Sequence, residues 1–401
     1  MEAAEIFAAL LEPEGRADPY PLYARLHELG EAVALDGMVL VPGYDAANAV
    51  LRDPAFRVAD ADRFDEVMPA WRDHPAMLMD SLLSVNPPHH TRIRSLISRV
   101  FTQRRIARLE PAVARMTARL LDEIADRGAR GAAVEFMHDF AFLLPVTVIC
   151  ELIGIPEADR ERFRPIATAL VATIEPVSTN QQWFEADAAV TELTGYFTGL
   201  AADRRRVPRD DLMTALVEIS DAADGRLSDS ELLDNLMLLL VAGFETTANL
   251  LGNGMRIVSS DQTFGEDVRD GVVPVAAFVE EVLRYDSPVQ LTSRRAAGPA
   301  DIAGVTLSPA EEVLIFLGAA NRDPRRFAEP NRFQPTRSDS GPLSFGGGPH
   351  FCLGAALARL EASVAFPQIL GRFPGLAAAG EPVRKQGLVL RGYESLPVTL
   401  V

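Results

Sequence analysis

The sequence predicts a mainly α-helical chain with small β-sheets, an α+β architecture built as one domain over residues 1–401. Three observations predict it. Four long segments carry apolar residues at three- and four-residue spacing with polar residues between them, the pattern of helices with one buried face. Strand signals are few and short. No internal repeat, low-complexity tract or Gly/Ser-rich linker divides the chain.

The first clear element is a hairpin, since residues 32–35 and 38–41 are apolar runs separated by Asp36-Gly37, a pair suited to a two-residue turn. Residues 105–127 have helical spacing. Residues 228–255 read as one long helix, with Ser228 as its cap and Glu231 three positions on as the capping-box partner. Residues 275–284 and 353–370 are further amphipathic helices, and 301–307, 313–317, 388–390 and 397–400 are short strand candidates. The stretch 318–348 is irregular, crowded with Pro, Asn, Asp and Gly, and runs straight into the 353–370 helix. Loops of that length in a compact domain usually serve a function.

Lys and Arg total 39 against 56 Asp and Glu, a formal net charge of −17. General binding to nucleic-acid phosphate or anionic lipid is excluded on that charge. No membrane segment is expected either. The acidic amino terminus lacks the basic start and apolar run of a signal peptide, and the charge-free stretch 340–358 holds Pro342, Pro349 and several glycines. Two cysteines, Cys150 and Cys352, are too few for an iron–sulfur cluster or a four-thiolate zinc site, and they suit a reducing cytoplasm.

Cys352 ends the run Phe345-Gly346-Gly347-Gly348-Pro349-His350-Phe351-Cys352, immediately before a helix. A helix amino terminus offers unpaired N–H groups and partial positive charge, which favour thiolate over thiol. Glycines let backbone approach something flat and bulky. On these residues alone three readings stay open: a buried structural cysteine, a nucleophile paired with His350, and a thiolate ligand to haem iron.

Phe345, Gly348, Cys352 and Gly354 match the haem-binding signature of the cytochrome P450 family, and three further blocks follow the family's order. The run Ala242-Gly243-Phe244-Glu245-Thr246-Thr247 resembles its central-helix oxygen-binding motif. Glu281 and Arg284 are similar to its Glu-x-x-Arg motif, and the segment from Asn321 through Arg332 resembles the one whose arginine completes that motif. The resemblance implies the family fold, with haem b (iron protoporphyrin IX) between the long central helix and the cysteine-loop helix, and Cys352 as axial ligand to its iron.

It also implies roles. Gly243, beside Ala242, would open a local distortion where oxygen fits; Thr246 would donate a hydrogen bond to dioxygen, and Glu245 would relay protons. An acid–alcohol pair is chemically apt there, because cleaving O–O to water consumes two protons. Glu281, Arg284 and Arg332 would form a structural network holding the cysteine loop. His90, Arg94, Arg294 and His350 would bind the haem propionates. Segments mapping to the family's pocket supply Trp71, Met77, Met79, Val241, Val289, Leu291 and Tyr393 as walls. Residues 81–109 contain no Asp or Glu, and their Arg99, Arg104, Arg105 and Arg108 would receive an acidic electron donor.

The implied activity is that of a cytoplasmic, monomeric haem-thiolate monooxygenase of the soluble bacterial class. It would hydroxylate or epoxidise a small, largely apolar substrate of specialised metabolism, with dioxygen and electrons from ferredoxin and ferredoxin reductase. The same motifs admit oxidative coupling or dehydrogenation. A haem gas sensor without turnover is the reading from another class, and the Glu245-Thr246 pair argues against it.

Overall fold

Asp229–Ser260 forms one central helix of 32 residues, about 48 Å long at 1.5 Å per residue. Its start is set by the expected reciprocal cap: the Glu231 N–H donates to Ser228 Oγ at 3.1 Å and the Ser228 N–H donates to Glu231 Oε2 at 2.9 Å. In this computed structural model, residues 1–59, 74–175, 179–222 and 227–400 are described. By length and composition the central helix is apolar enough to cross a membrane, yet 72% of its apolar window is buried inside the protein, as for a core helix.

The chain divides into two compact units, and the division falls inside the central helix between Glu245 and Thr246. The first comprises Met1–Arg57, Ala114–Leu143 and Thr246–Val401; the second comprises Val58–Val113 and Leu144–Glu245.

The first unit holds every strand among the described residues: β1 (Val33–Leu35), β2 (Met38–Val41), β3 (Phe56–Arg57), β4 (Ala133–Glu135), β5 (Leu291–Ala296), β6 (Ala300–Ile302), β7 (Val305–Leu307), β8 (Glu312–Phe316), β9 (Ala377–Ala378), β10 (Val383–Arg384), β11 (Tyr393–Ser395) and β12 (Pro397–Thr399). The main sheet runs β1-β2-β8-β5-β3, with β2 and β8 parallel and the other pairs antiparallel. The expected hairpin is present, Val33 opposite Leu40, with Gly37 at φ +76° in its turn. Alternation explains why β2 is apolar at every position. Val39 and Val41 enter one core cluster with Val313 and Ile315, while Leu40 enters another with Leu291, Phe316 and the amino-terminal helix residues Ile6, Leu10 and Leu26.

The second unit is helical. It includes His89–Val100, Phe163–Val171, Asn180–Arg206 and Leu212–Ser220. The segment expected as one helix over 105–127 is two, Gln103–Ala107 and Glu110–Arg127. Pro111 accounts for the break, because proline fits a first helical turn but cannot donate a hydrogen bond into a preceding one.

Candidate functional site

The cysteine loop takes its shape from backbone contacts in the first unit. The Cys352 N–H donates to Phe345 O at 2.9 Å, the Phe351 N–H to Gly348 O at 3.1 Å, and the Gly346 N–H to Leu343 O at 2.8 Å. Gly348 sits at φ +63°, and a Cβ there would lie 2.2 Å from Leu51 O. Only glycine satisfies both conditions. Cys352 is exposed, two residues before the Gly354 cap of helix Ala355–Arg372.

A buried ionic cluster ties this loop to helix Val275–Tyr285. Arg284 donates from Nε and Nη2 to the two Glu281 oxygens, each at 2.8 Å, and from Nη1 to Asn321 O at 3.0 Å. Asn321 Oδ1 in turn accepts the Leu343 N–H at 2.7 Å, and Asn321 Nδ2 donates to Ser344 Oγ at 2.9 Å. The third charged member is Arg337, whose Nε donates to Glu281 Oε2 at 2.9 Å. This corrects the expectation for Arg332. Its side chain is exposed beside Glu329 at 3.6 Å, and only its backbone carbonyl joins the cluster, accepting from Arg284 and Arg337. Sequence reasoning missed Arg337 because the irregular segment carrying it has no periodicity from which to read a register.

The middle of the central helix departs from its surroundings. Val241, Phe244, Glu245, Thr247 and Ala248 are buried, whereas Ala242 is exposed and Gly243 and Thr246 are half-buried. Those three positions share one face, so an accessible strip about one turn long interrupts a buried helix. The helical span runs through Gly243 without a break. The missing side chain has another use: a Cβ on Gly243 would come within 3.1 Å of Ile149.

The four expected cations divide between the units. His90 is 2% exposed and Arg94 half-buried on helix His89–Val100; Arg294 is 6% exposed on β5, and His350 is half-buried in the cysteine loop. Arg294 donates only to Ser293 O at 2.6 Å and Thr292 Oγ1 at 3.3 Å, with no carboxylate beside it among the described residues. Burial pushes its pKa down to about 10. Arg92 instead turns to Glu231, which also accepts from His89 at 2.6 Å. Burial opposes the Glu231 charge, but the Arg92 and His89 hydrogen bonds outweigh it and hold the carboxyl down at about 2.

The family model for cytochrome P450 matches residues 36–387. The chain belongs to the cytochrome P450 family. Cytochrome P450 monooxygenase PikC of Streptomyces venezuelae is 39% identical over 391 residues, covering 95% of this chain and 91% of that protein. The 6-deoxyerythronolide B hydroxylase of Saccharopolyspora erythraea is 37% identical over 397 residues, covering 96% of each. The ligand-free crystal structure of Mycobacterium smegmatis CYP164A2 superposes with a TM-score of 0.89 at 35% identity, over 99% of this chain and 100% of that one. This P450 is a monooxygenase with a haem-iron cofactor, and its reaction takes an organic substrate, dioxygen and electrons from a redox partner.

The residues present fit haem. Arg294 is a buried cation with no counter-anion among the described residues, which a propionate would supply. Cys352 is accessible at the end of the glycine-rich loop. Cys150, by contrast, is fully buried, and burial pushes its thiol up to about 12, so it is inert as a ligand.

The expected pocket residues are placed unevenly. Trp71 lies outside the described residues. Met77 and Met79 are half-buried and Val241 is buried. Leu291 belongs to the core cluster around Leu40 and Phe316, and Val289 is partly buried against the cluster around Val313 and Ile315. Tyr393 is 2% exposed, with the Arg384 guanidinium 3.8 Å from its ring centre, so it belongs to a structural polar cluster instead of an apolar wall. On the arginine face, Arg99, Arg104 and Arg108 are exposed, while Arg105 turns back to Asp210 Oδ1 and Asp211 O, each at 3.2 Å. Arg105 is already engaged, which removes it from the expected docking set.

Proposed function

We propose that this P450 is a cytoplasmic, monomeric, ferredoxin-dependent monooxygenase with haem b, which hydroxylates or epoxidises a small, largely apolar molecule of bacterial specialised metabolism. The observation that carries the reading is the accessible strip in the central helix, where Thr246 is half-buried next to the buried Glu245. Relatives named as hydroxylases support it.

Haem, held through Cys352, supplies the oxidant made from dioxygen. The chain's residues do the rest. Cys352 Sγ provides a thiolate, favoured by the N–H groups at the start of its helix. Arg294, His350, Arg94 and His90 neutralise the propionates. Glu245 would relay protons from solvent, and Thr246 Oγ1 would donate a hydrogen bond towards dioxygen. One dioxygen, two electrons, two protons and one substrate C–H bond give one hydroxylated product and one water. Arg99, Arg104 and Arg108 receive the ferredoxin, which ferredoxin reductase reloads.

The test is Thr246→Ala with product and peroxide measured per reductant consumed. Haem content and substrate binding should stay nearly unchanged while electrons divert to peroxide. Unchanged coupling would remove Thr246 from the proton path. Product analysis separates oxygen insertion from coupling or dehydrogenation, and absence of any turnover with a donor would favour the sensor.

A further inference from the structure

We propose that the first unit carries a second ligand site, a cleft that binds the phosphate or carboxylate group of a small molecule between Arg322, Arg384 and Arg391. The cleft encloses about 470 Å³. Its charge runs against the chain, which has 56 acidic against 39 basic residues. Here three guanidinium groups meet two carboxylates, Asp18 and Asp286.

Asp286 is already committed. Arg391 Nε donates to its Oδ1 at 2.7 Å, Arg384 Nη2 to its Oδ2 at 2.9 Å, and the Tyr20 hydroxyl to Oδ1 at 2.9 Å. Burial alone would raise its pKa, but the two arginines outweigh that and hold its carboxyl well below the usual carboxylate range.

That leaves Arg322 in excess. Its guanidinium lies 3.5 Å from the centre of the Tyr20 ring and 3.9 Å from that of Tyr285, and it donates to Tyr285 O and, at 3.3 Å, to Asn331 Oδ1. Its hydrogen bonds among the described residues go to neutral oxygens, those of Tyr285 and Asn331. Contact with two rings and the hydrogen bonds to Tyr285 and Asn331 hold the planar fork in place, so an oxyanion would meet donors whose ordering cost is already met. The position also has structural reach. Arg322 follows Asn321, which anchors Leu343 and Ser344 of the cysteine loop, so a bound anion would brace that support.

The experiment uses the haem-loaded protein at constant ionic strength set with chloride. Inorganic phosphate and acetate are titrated separately by calorimetry, and the thermal midpoint is followed. Phosphate, acetate or both should bind and raise the midpoint in proportion to occupancy. A response to phosphate alone assigns a phosphate-bearing ligand; a comparable response to acetate assigns a carboxylate. Two exposed rim positions provide variants that leave the arginines in place. Asn331→Asp and Ala24→Glu each add a negative charge and should weaken binding tenfold or more. The proposal is overturned if neither anion binds beyond the chloride control, or if both variants bind as the parent does, since the anion then sits elsewhere.

Discussion

Arg337 donates from Nε to Glu281 Oε2 at 2.9 Å, joining Arg284 on a carboxylate whose side chain is 2% exposed. The Arg337 side chain is itself 3% exposed, and its Nη1 donates to Asp339 Oδ1 at 2.9 Å, so one residue binds two carboxylates across the segment that leads into the cysteine loop.

Removing one member of such a buried cluster leaves the others short of a partner, at a cost of about 3–5 kcal/mol. Arg337→Ala should therefore lower the stability of the haem-loaded protein by that order, with haem lost at lower urea. Arg332→Ala should change it by less than about 0.5 kcal/mol, because only its backbone carbonyl takes part. Urea midpoints for the two variants check this, and equal effects would return Arg332 to the cluster.

That exchange of arginines marks where the sequence is readable. The Asp36-Gly37 hairpin, the Ser228/Glu231 cap and the glycine run before Cys352 each rest on local geometry, so short patterns specify them. The Arg337 contact is set by an irregular chain path folding back on a helix, which no period encodes. β5 is hard to read for a different reason: Leu291-Thr292-Ser293-Arg294-Arg295-Ala296 breaks the strand pattern by burying Arg294. Rules of local consistency tend to fail at functional positions, and Arg294 is buried with hydrogen bonds to Ser293 O and Thr292 Oγ1 and no carboxylate beside it among the described residues. Leu291 and Val289 show the converse, since an apolar residue reads alike whether it lines a pocket or fills a core.

Cys352 should be the iron ligand and Cys150 a core residue. The reduced carbon monoxide complex of the parent and of Cys150→Ala should show the red-shifted absorption of thiolate ligation. Cys352→Ala should lose it. The reverse pattern would overturn the assignment.

Asp234, on the central helix, accepts the Asp80 N–H at 2.9 Å, and burial together with the Asp80 charge pushes its carboxyl up to about 6. A carboxyl raised in the folded state favours folding in its protonated form. Its contribution is complete below about pH 4, the unfolded value, and is lost as pH rises through 6. Asp234→Asn keeps an oxygen for the Asp80 N–H without the charge. It should stabilise the protein by about 1 kcal/mol at pH 7.5, a figure reduced for solvent screening of a half-buried group, and by nothing below about pH 4. Urea midpoints across that range decide it; a gain independent of pH would mean that the asparagine acts by packing.

Arg99, Arg104 and Arg108 are exposed and form no ion pair among the described residues, so their charge is available to a partner. Arg105 spends its charge near Asp210. Exposed charges act mainly on encounter, with a screening length of about 8 Å at physiological salt. Arg104→Glu combined with Arg108→Glu should slow the first electron transfer from an acidic ferredoxin by roughly tenfold at low salt, and leave substrate affinity alone. The parent rate should fall as salt rises, and the doubly reversed protein should lose most of that dependence. Arg105→Glu should instead act on stability, because it sets a carboxylate beside Asp210, and it should change the salt response little. If the parent and the doubly reversed protein respond to salt alike, the donor docks elsewhere and the arginine run is a solvated face.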